Sequence, residues 1–159
     1  VFSNAVGHPF GSFSKLHSLN LSSNNISSIE ADVAATWTAL TCLVLNNNQL
    51  TSLPDEANQW ESIKGLFLHG NKLKTINDIA AESWHCMTRI SVDDNPLNQL
   101  PQRILHDWNS LEVCGLRNTD VSSRSRNTVD QIISRNKRVQ WWRVLLHLLE
   151  LSLIFYNHL

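Results

Sequence analysis

The sequence predicts an α/β solenoid, with a parallel sheet on one side and short helices and turns on the other. Three observations predict it. Similar blocks begin at residues 16, 40, 63, 87 and 111, separated by 24, 23, 24 and 24 residues. Every block holds an apolar–polar–apolar alternation, the period of a strand with one face buried. An aromatic residue precedes each block by three positions: Phe13, Trp37, Trp60, Trp84 and Trp108. A fixed period of this length marks a repeat array, in which every unit buries its apolar face against its neighbours. With 159 residues in all, the expectation is one domain.

Leu16 to Ile26 reads L-H-S-L-N-L-S-S-N-N-I, and Leu40 to Leu50 reads L-T-C-L-V-L-N-N-N-Q-L. Ile63 to Leu73, Met87 to Leu97 and Leu111 to Val121 follow the same pattern. The blocks resemble the leucine-rich-repeat family, whose pattern is L-x-x-L-x-L-x-x-N-x-L, over roughly residues 13–121. The last copy departs most, with Cys114 at an aliphatic position and Thr119 in place of the asparagine.

One strand per copy, always entered in the same direction, gives a parallel sheet. Asn24, Asn48, Asn71 and Asn95 stand just past the strands. An amide there both donates and accepts, so it can satisfy backbone groups left buried by an inward turn. Thr119 is expected to make a poorer rung. The regular register of the aromatic residues assigns them to the core on the convex side, not to a ligand cleft. Ile29–Ala39 and Ile76–Cys86 read as short helices, whereas Leu53-Pro54 and Leu100-Pro101 open the other two convex segments. Proline fits a first helical turn and stops a strand from running on.

Residues between the leucines point outward and line up in columns. The central column is Asn20, Val44, Phe67, Ser91 and Gly115. Beside it run Ser22, Asn46, His69, Asp93 and Arg117 on one flank, and Ser18, Cys42, Gly65, Arg89 and Val113 on the other. Exposed apolar groups ringed by polar ones mark contact sites. Asn20, Val44, Asn46, Phe67, His69, Arg89, Ser91, Asp93 and Arg117 are therefore the candidate partner-binding residues. Single exposed apolar residues are also common on any surface, so Phe67 and Val44 keep both readings.

His69, Asp93 and Ser91 nominally supply a base, an acid and a nucleophile. Nothing in the pattern adds an oxyanion hole or a water-excluding pocket, so no catalysis is expected. The simpler expectation pairs Asp93 with Arg117 or His69 across neighbouring strands. A metal at Asp93-Asp94-Asn95 would need Asn95, which belongs to the ladder, and no further carboxylates cluster nearby. No cofactor is expected.

Residues 1–121 carry 7 Lys and Arg against 12 Asp and Glu, while residues 122–159 carry 6 against 2. The formal net charge of −1 gives no reason to expect a nucleic-acid partner. Cys42, Cys86 and Cys114 are odd in number and scattered, which favours a reducing compartment over a disulfide framework. Two sequons, at Asn20 and Asn25, pull the other way. The first residue is Val1 and no leader follows it, so a processed signal peptide is neither shown nor dismissed. Val1 to Phe10 resembles the convex half of an earlier copy, and further repeats are expected before it.

After Val121 the repeat stops. Ser122 to Asn127 reads as polar linker and a helix is expected from Thr128. Val139 to Tyr156 is strongly apolar, with Gln140, Arg143, His147 and Glu150 on one narrow helical stripe. A cap over the open end of the solenoid is the first reading. An interfacial or partner-binding helix is the second, since Arg135, Lys137, Arg138 and Arg143 beside Trp141 and Trp142 suit a membrane surface. A spanning helix is disfavoured, because a central charge costs roughly 2.5–3.5 kcal/mol on the insertion scale.

The fourth and fifth copies with their basic helical ending resemble the C-terminal end of small intracellular leucine-rich-repeat proteins, which implies a cytoplasmic protein-interaction module or scaffold, as in signalling, binding a protein partner on the concave face. The alternative is the recognition part of a membrane-associated receptor, with the C-terminal helix at the bilayer. The expected organisation is a solenoid over 1–121 and a helical ending over 122–159.

Overall fold

The computed structural model describes residues 13–102 and 107–156, with residues 141–156 described as helix backbone alone. The half-copy expected at Val1–Phe10, the Phe13 ring and the stripe of Arg143, His147 and Glu150 lie outside what is described.

Strands β1 (Ser18–Asn20), β2 (Cys42–Val44), β3 (Gly65–Phe67), β4 (Arg89–Ser91) and β5 (Val113–Gly115) form one parallel sheet in chain order. Each is only 3 residues long, but the ladder continues past both ends. Leu45 N–H reaches the Phe67 carbonyl at 2.8 Å, and Leu68 N–H reaches Ser91 at 2.8 Å. At the entry side, the Lys64 carbonyl accepts from both Thr88 and Arg89, each at 2.9 Å.

The inner face of the strands is the core. Leu43, Leu45, Leu66, Leu68 and Val92 are fully buried. Behind them Trp37, Trp60, Trp84 and Trp108 form the expected stack, with successive ring centroids 5.7, 6.2 and 6.1 Å apart. Such pairs add about 0.5–1.5 kcal/mol each beyond the area they bury. The indole N–H of Trp60 donates to the Ala34 carbonyl at 3.0 Å, and that of Trp84 donates to Ala57 at 2.8 Å. These two indoles thus bond to the preceding repeat as well as stacking on it, whereas the buried indole N–H groups of Trp37 and Trp108 find no partner among the described residues.

The convex helices are shorter than the sequence suggests. Helices α1 (Ala31–Ala34) and α2 (Asp78–Ala81) have 4 residues each. Both give way to turns that carry Trp37 and Trp84 inward, and Trp37 N–H bonds back to Ala34 at 3.1 Å. A repeat must return to a strand about 4.8 Å from the last one, which leaves little chain for a longer helix. Pro54 precedes a 3₁₀ turn over Asp55–Gln59. Asn77 caps α2 by accepting from Ala80 N–H at 2.6 Å.

Just past each strand lies a residue with positive φ: Ser23, Asn47, Gly70, Asp94 and Asn118, between 52° and 66°. Asn, Asp and Gly tolerate this left-handed region best, and they fill four of the five positions. The turn aims the next side chain inward. Asn71 Oδ1 accepts from Leu50 N–H at 3.0 Å, while its Nδ2 donates to Leu45 and Leu68 carbonyls at 3.0 and 2.9 Å. Asn48 and Asn95 repeat the arrangement. Asn24 is exposed and donates to the Leu21 and Ser22 carbonyls.

The ladder ends at Thr119, as expected a weaker rung, and a basic side chain completes it. Arg126 donates to the Leu116, Thr119 and Val121 carbonyls at 2.6, 2.7 and 3.0 Å. Arg126 sits on α3 (Ser123–Tyr156), which starts five residues earlier than the sequence suggested. The cause is Ser122, whose hydroxyl accepts from Ser125 N–H at 3.2 Å and whose carbonyl takes Arg126 N–H. Val129 and Ile132 of α3 are buried, and Asn136 Nδ2 donates to the Trp108 and Leu111 carbonyls at 3.2 and 2.9 Å. The first half of α3 therefore lies on the last repeat. Gln140, bonded to Glu112 at 3.1 Å, is the last residue with a described contact to it.

Candidate functional site

The strand register brings the expected columns together. Asn20, Val44, Phe67, Ser91 and Gly115 are successive partners, as are Ser18, Cys42, Gly65, Arg89 and Val113. The flanking row is tied by its backbone, since Asn47 N–H bonds to His69 and Asp94 N–H to Arg117, at 2.8 and 2.9 Å. All nine candidate residues thus share one face.

They do not all have free side chains. Asn46 Oδ1 accepts from His69 N–H at 2.9 Å, and Asp93 Oδ1 accepts from Arg117 N–H at 2.6 Å. The flanking row carries this side-chain-to-backbone bond at two of its four steps, a partial second ladder that the sequence does not reveal because its residues vary. Asp93 meets Arg117 through the backbone, not through the guanidinium, and the partner of His69 is Asp94 (Nδ1 to Oδ2, 3.0 Å). Asp94, which the sequence offers only as a metal ligand, also accepts from Asn118 at 2.5 Å.

Ser91 donates its hydroxyl to Asp93 Oδ2 at 2.8 Å. Its proton thus points at an acid rather than at His69, and His69 is turned toward Asp94. That geometry is not a nucleophile–base relay. Cys114 is no substitute: burial first, then the charges of Asp93 and Asp130, push its thiol up to about 12, with Arg126 opposing. The thiol stays protonated and inert near neutrality.

At the centre of the face Val44 and Phe67 are half-buried. Gly65 lies beneath the Phe67 ring: a methyl group added there would stand 3.1 Å from the ring edge and 3.7 Å from Cys42 Sγ. The ring thus lies along the sheet, over the glycine, and presents a flat apolar surface. At the far end Gly115 leaves room for the Asp93 carboxylate. Val113 is 52% exposed, so the apolar character extends to β5.

Comparison with known proteins fits this geometry. A model of the leucine rich repeat matches residues 38–97, and one spanning two such repeats matches residues 14–58. The chain belongs to the leucine-rich-repeat family. A solved leucine-rich-repeat protein of Leptospira interrogans is similar with a TM-score of 0.58 at 19% identity. The match covers 76% of this chain and 36% of that one, and it speaks for the fold alone. No curated protein matches. Leucine-rich-repeat domains generally serve protein interaction. Among the described residues, no helix of this leucine-rich-repeat chain is long and apolar enough to cross a membrane.

Proposed function

We propose that the chain is a protein-interaction module that seats its partner on the concave sheet face, centred on Phe67 and Val44. One observation carries the reading. The strands send Leu43, Leu66 and Ile90 into the core, yet the large ring of Phe67 lies on the outer surface over Gly65, next to Val44 in the same column. Aromatic groups surrounded by polar ones are the usual anchors of binding energy. The engaged side chains of Asn46 and Asp93 hold the surface rigid, which lowers the ordering cost on association. The family's general use in protein interaction supports the same role, and the geometry around Ser91 supports a non-catalytic one. Three free thiols support a cytoplasmic setting.

The test is photo-crosslinking with a benzophenone side chain placed at position 67 or, as a control, at exposed Ile79 on convex α2. Adducts formed from 67 and not from 79 support the proposal. Adducts only from 79 sink it.

A further inference from the structure

We infer that the far half of α3 is a peripheral membrane anchor, which seats an apolar arc of the helix in a bilayer surface rich in anionic lipid. The observations that carry this lie apart from the concave face, so it stands or falls separately from the reading above.

Helix α3 divides in two. Val129, Ile132 and Asn136 are buried, at the three- and four-residue spacing of one helical face. That face continues at Val139 and Gln140, and there the burial stops. Residues 137–140, more than a full turn, are all exposed, and Val139 is 47% exposed although apolar. The cap over the last repeat therefore ends at Asn136, with Gln140 reaching back to Glu112 through its amide. The helix backbone runs on for 16 residues more, to Tyr156, about 24 Å at 1.5 Å per residue. Twelve of those 16 residues are aliphatic or aromatic, too many for a helix with water all round.

Two features say what covers it. The first is the width of the apolar arc. At 100° per residue, Gln140, Arg143, His147 and Glu150 occupy about 80° of the circumference, and Ser152 is the one polar residue on the rest. A second helix, from a copy of this chain or from another protein, covers a stripe of about 100° and leaves more than half of the arc in water. A bilayer surface covers the arc at once and leaves the polar stripe at the water. The second feature is charge. Residues 131–149 hold Arg135, Lys137, Arg138 and Arg143 and no Asp or Glu. With every carboxylate counted at full charge, residues 122–159 carry 6 Lys and Arg against 2 Asp and Glu, and adding Glu112 leaves the excess positive. Lys137 and Arg138 are exposed where the buried stripe ends, and Trp141 and Trp142 follow them in the chain. Cations and tryptophan beside an aliphatic run suit the headgroup boundary of an anionic leaflet. Arg143, His147 and Glu150 within the run favour lying at that surface over crossing it.

The test floats the purified chain with vesicles of phosphatidylcholine alone or mixed equally with phosphatidylserine. Binding to the mixed vesicles is expected to be about tenfold or more tighter than to the neutral ones, and to weaken with salt. Lys137→Gln with Arg138→Gln should weaken it about tenfold or more. Leu145→Glu with Leu149→Glu, on the arc opposite the polar stripe, should abolish it, and circular dichroism checks that both variants fold. Insertion has its own readout. Trp37, Trp60, Trp84 and Trp108 are at most 1% exposed, so quenching by lipids brominated on their acyl chains reports on Trp141 and Trp142. No binding to the mixed vesicles, equal binding to neutral ones, binding without quenching, or binding that survives Leu145→Glu with Leu149→Glu overturns the inference. So does a chain that stays off vesicles but sediments as a dimer that those substitutions dissociate, which makes a second copy the occupant. None of these outcomes bears on crosslinking from position 67.

Discussion

Replacing Asn71 with alanine removes one rung from the middle of the asparagine ladder and nothing from the surface. Asn71 is 7% exposed, accepts from Leu50 N–H, and donates to the carbonyls of Leu45 and Leu68 in two different repeats. The substitution strands one buried donor, the Leu50 N–H, and takes one of two donors from each carbonyl, since Asn48 still donates to Leu45 and Asn95 to Leu68. An unsatisfied buried group costs about 1–3 kcal/mol, with carbonyls toward the lower end. With the two weakened carbonyls added, the expected loss is about 2–4 kcal/mol, a large share of a typical stability of about 5–15 kcal/mol. At about 2–4 °C per kcal/mol for a chain of this size, the melting temperature falls by about 4–16 °C. Asn71→Asp keeps the acceptor but sets a charged oxygen against the Leu45 and Leu68 carbonyls, so near neutrality it should cost at least as much as alanine. Asn24 is the internal control, because it is exposed and water can replace it; Asn24→Ala should cost under about 1 kcal/mol. Urea unfolding followed by the fluorescence of the stacked tryptophans measures all three. A loss at Asn71 no greater than at Asn24 would refute the claim that the ladder satisfies the turns.

Other consequences concern the helix, the second ladder and the thiols. A chain ending at Gln140 retains the described contacts of α3 with the last repeat and serves as the reference. One ending at Ser122 uncovers the last repeat and loses the Arg126 clamp, and should melt earlier and aggregate, as light scattering would show. Gly115→Ala places a methyl 2.2 Å from Asp93 Oδ2; displacing that carboxylate should cost about 1–3 kcal/mol, read by the same urea titration. Iodoacetamide at pH 8 should label exposed Cys86 quickly and Cys114 only on unfolding, as mass spectrometry would show. With its folded pKa raised, Cys114 contributes stability that is full below pH 9 and lost as pH rises through 9 toward 12.

Period and alternation made the sheet legible, because one face of every strand must be apolar. They placed Val44 beside Phe67 and stacked the tryptophans before any geometry was known. The convex helices were overestimated because apolar spacing cannot tell a helix from a turn that delivers a tryptophan inward. The clamp by Arg126 and the bond from Asn136 were hidden for another reason. Each depends on where α3 lands on the last repeat, a long-range fact with no local sequence signal. Ser122 did carry such a signal: a serine before a helical stretch is a capping residue, and it would have moved the start of α3 to its true place. An acid just past a strand suggests an ion pair, whereas Asp93 bonds to the Arg117 backbone and the Ser91 hydroxyl.

The central claim, that a protein partner binds around Phe67, is tested most directly by titrating a crosslinked and identified partner against variants of the chain. Phe67→Ala is expected to weaken its Kd by about thirtyfold or more, the scale of an anchoring aromatic, while Ile79→Ala on the convex side leaves it unchanged. An unchanged Kd for Phe67→Ala together with a loss for Ile79→Ala would contradict the account and move the binding surface to the convex side.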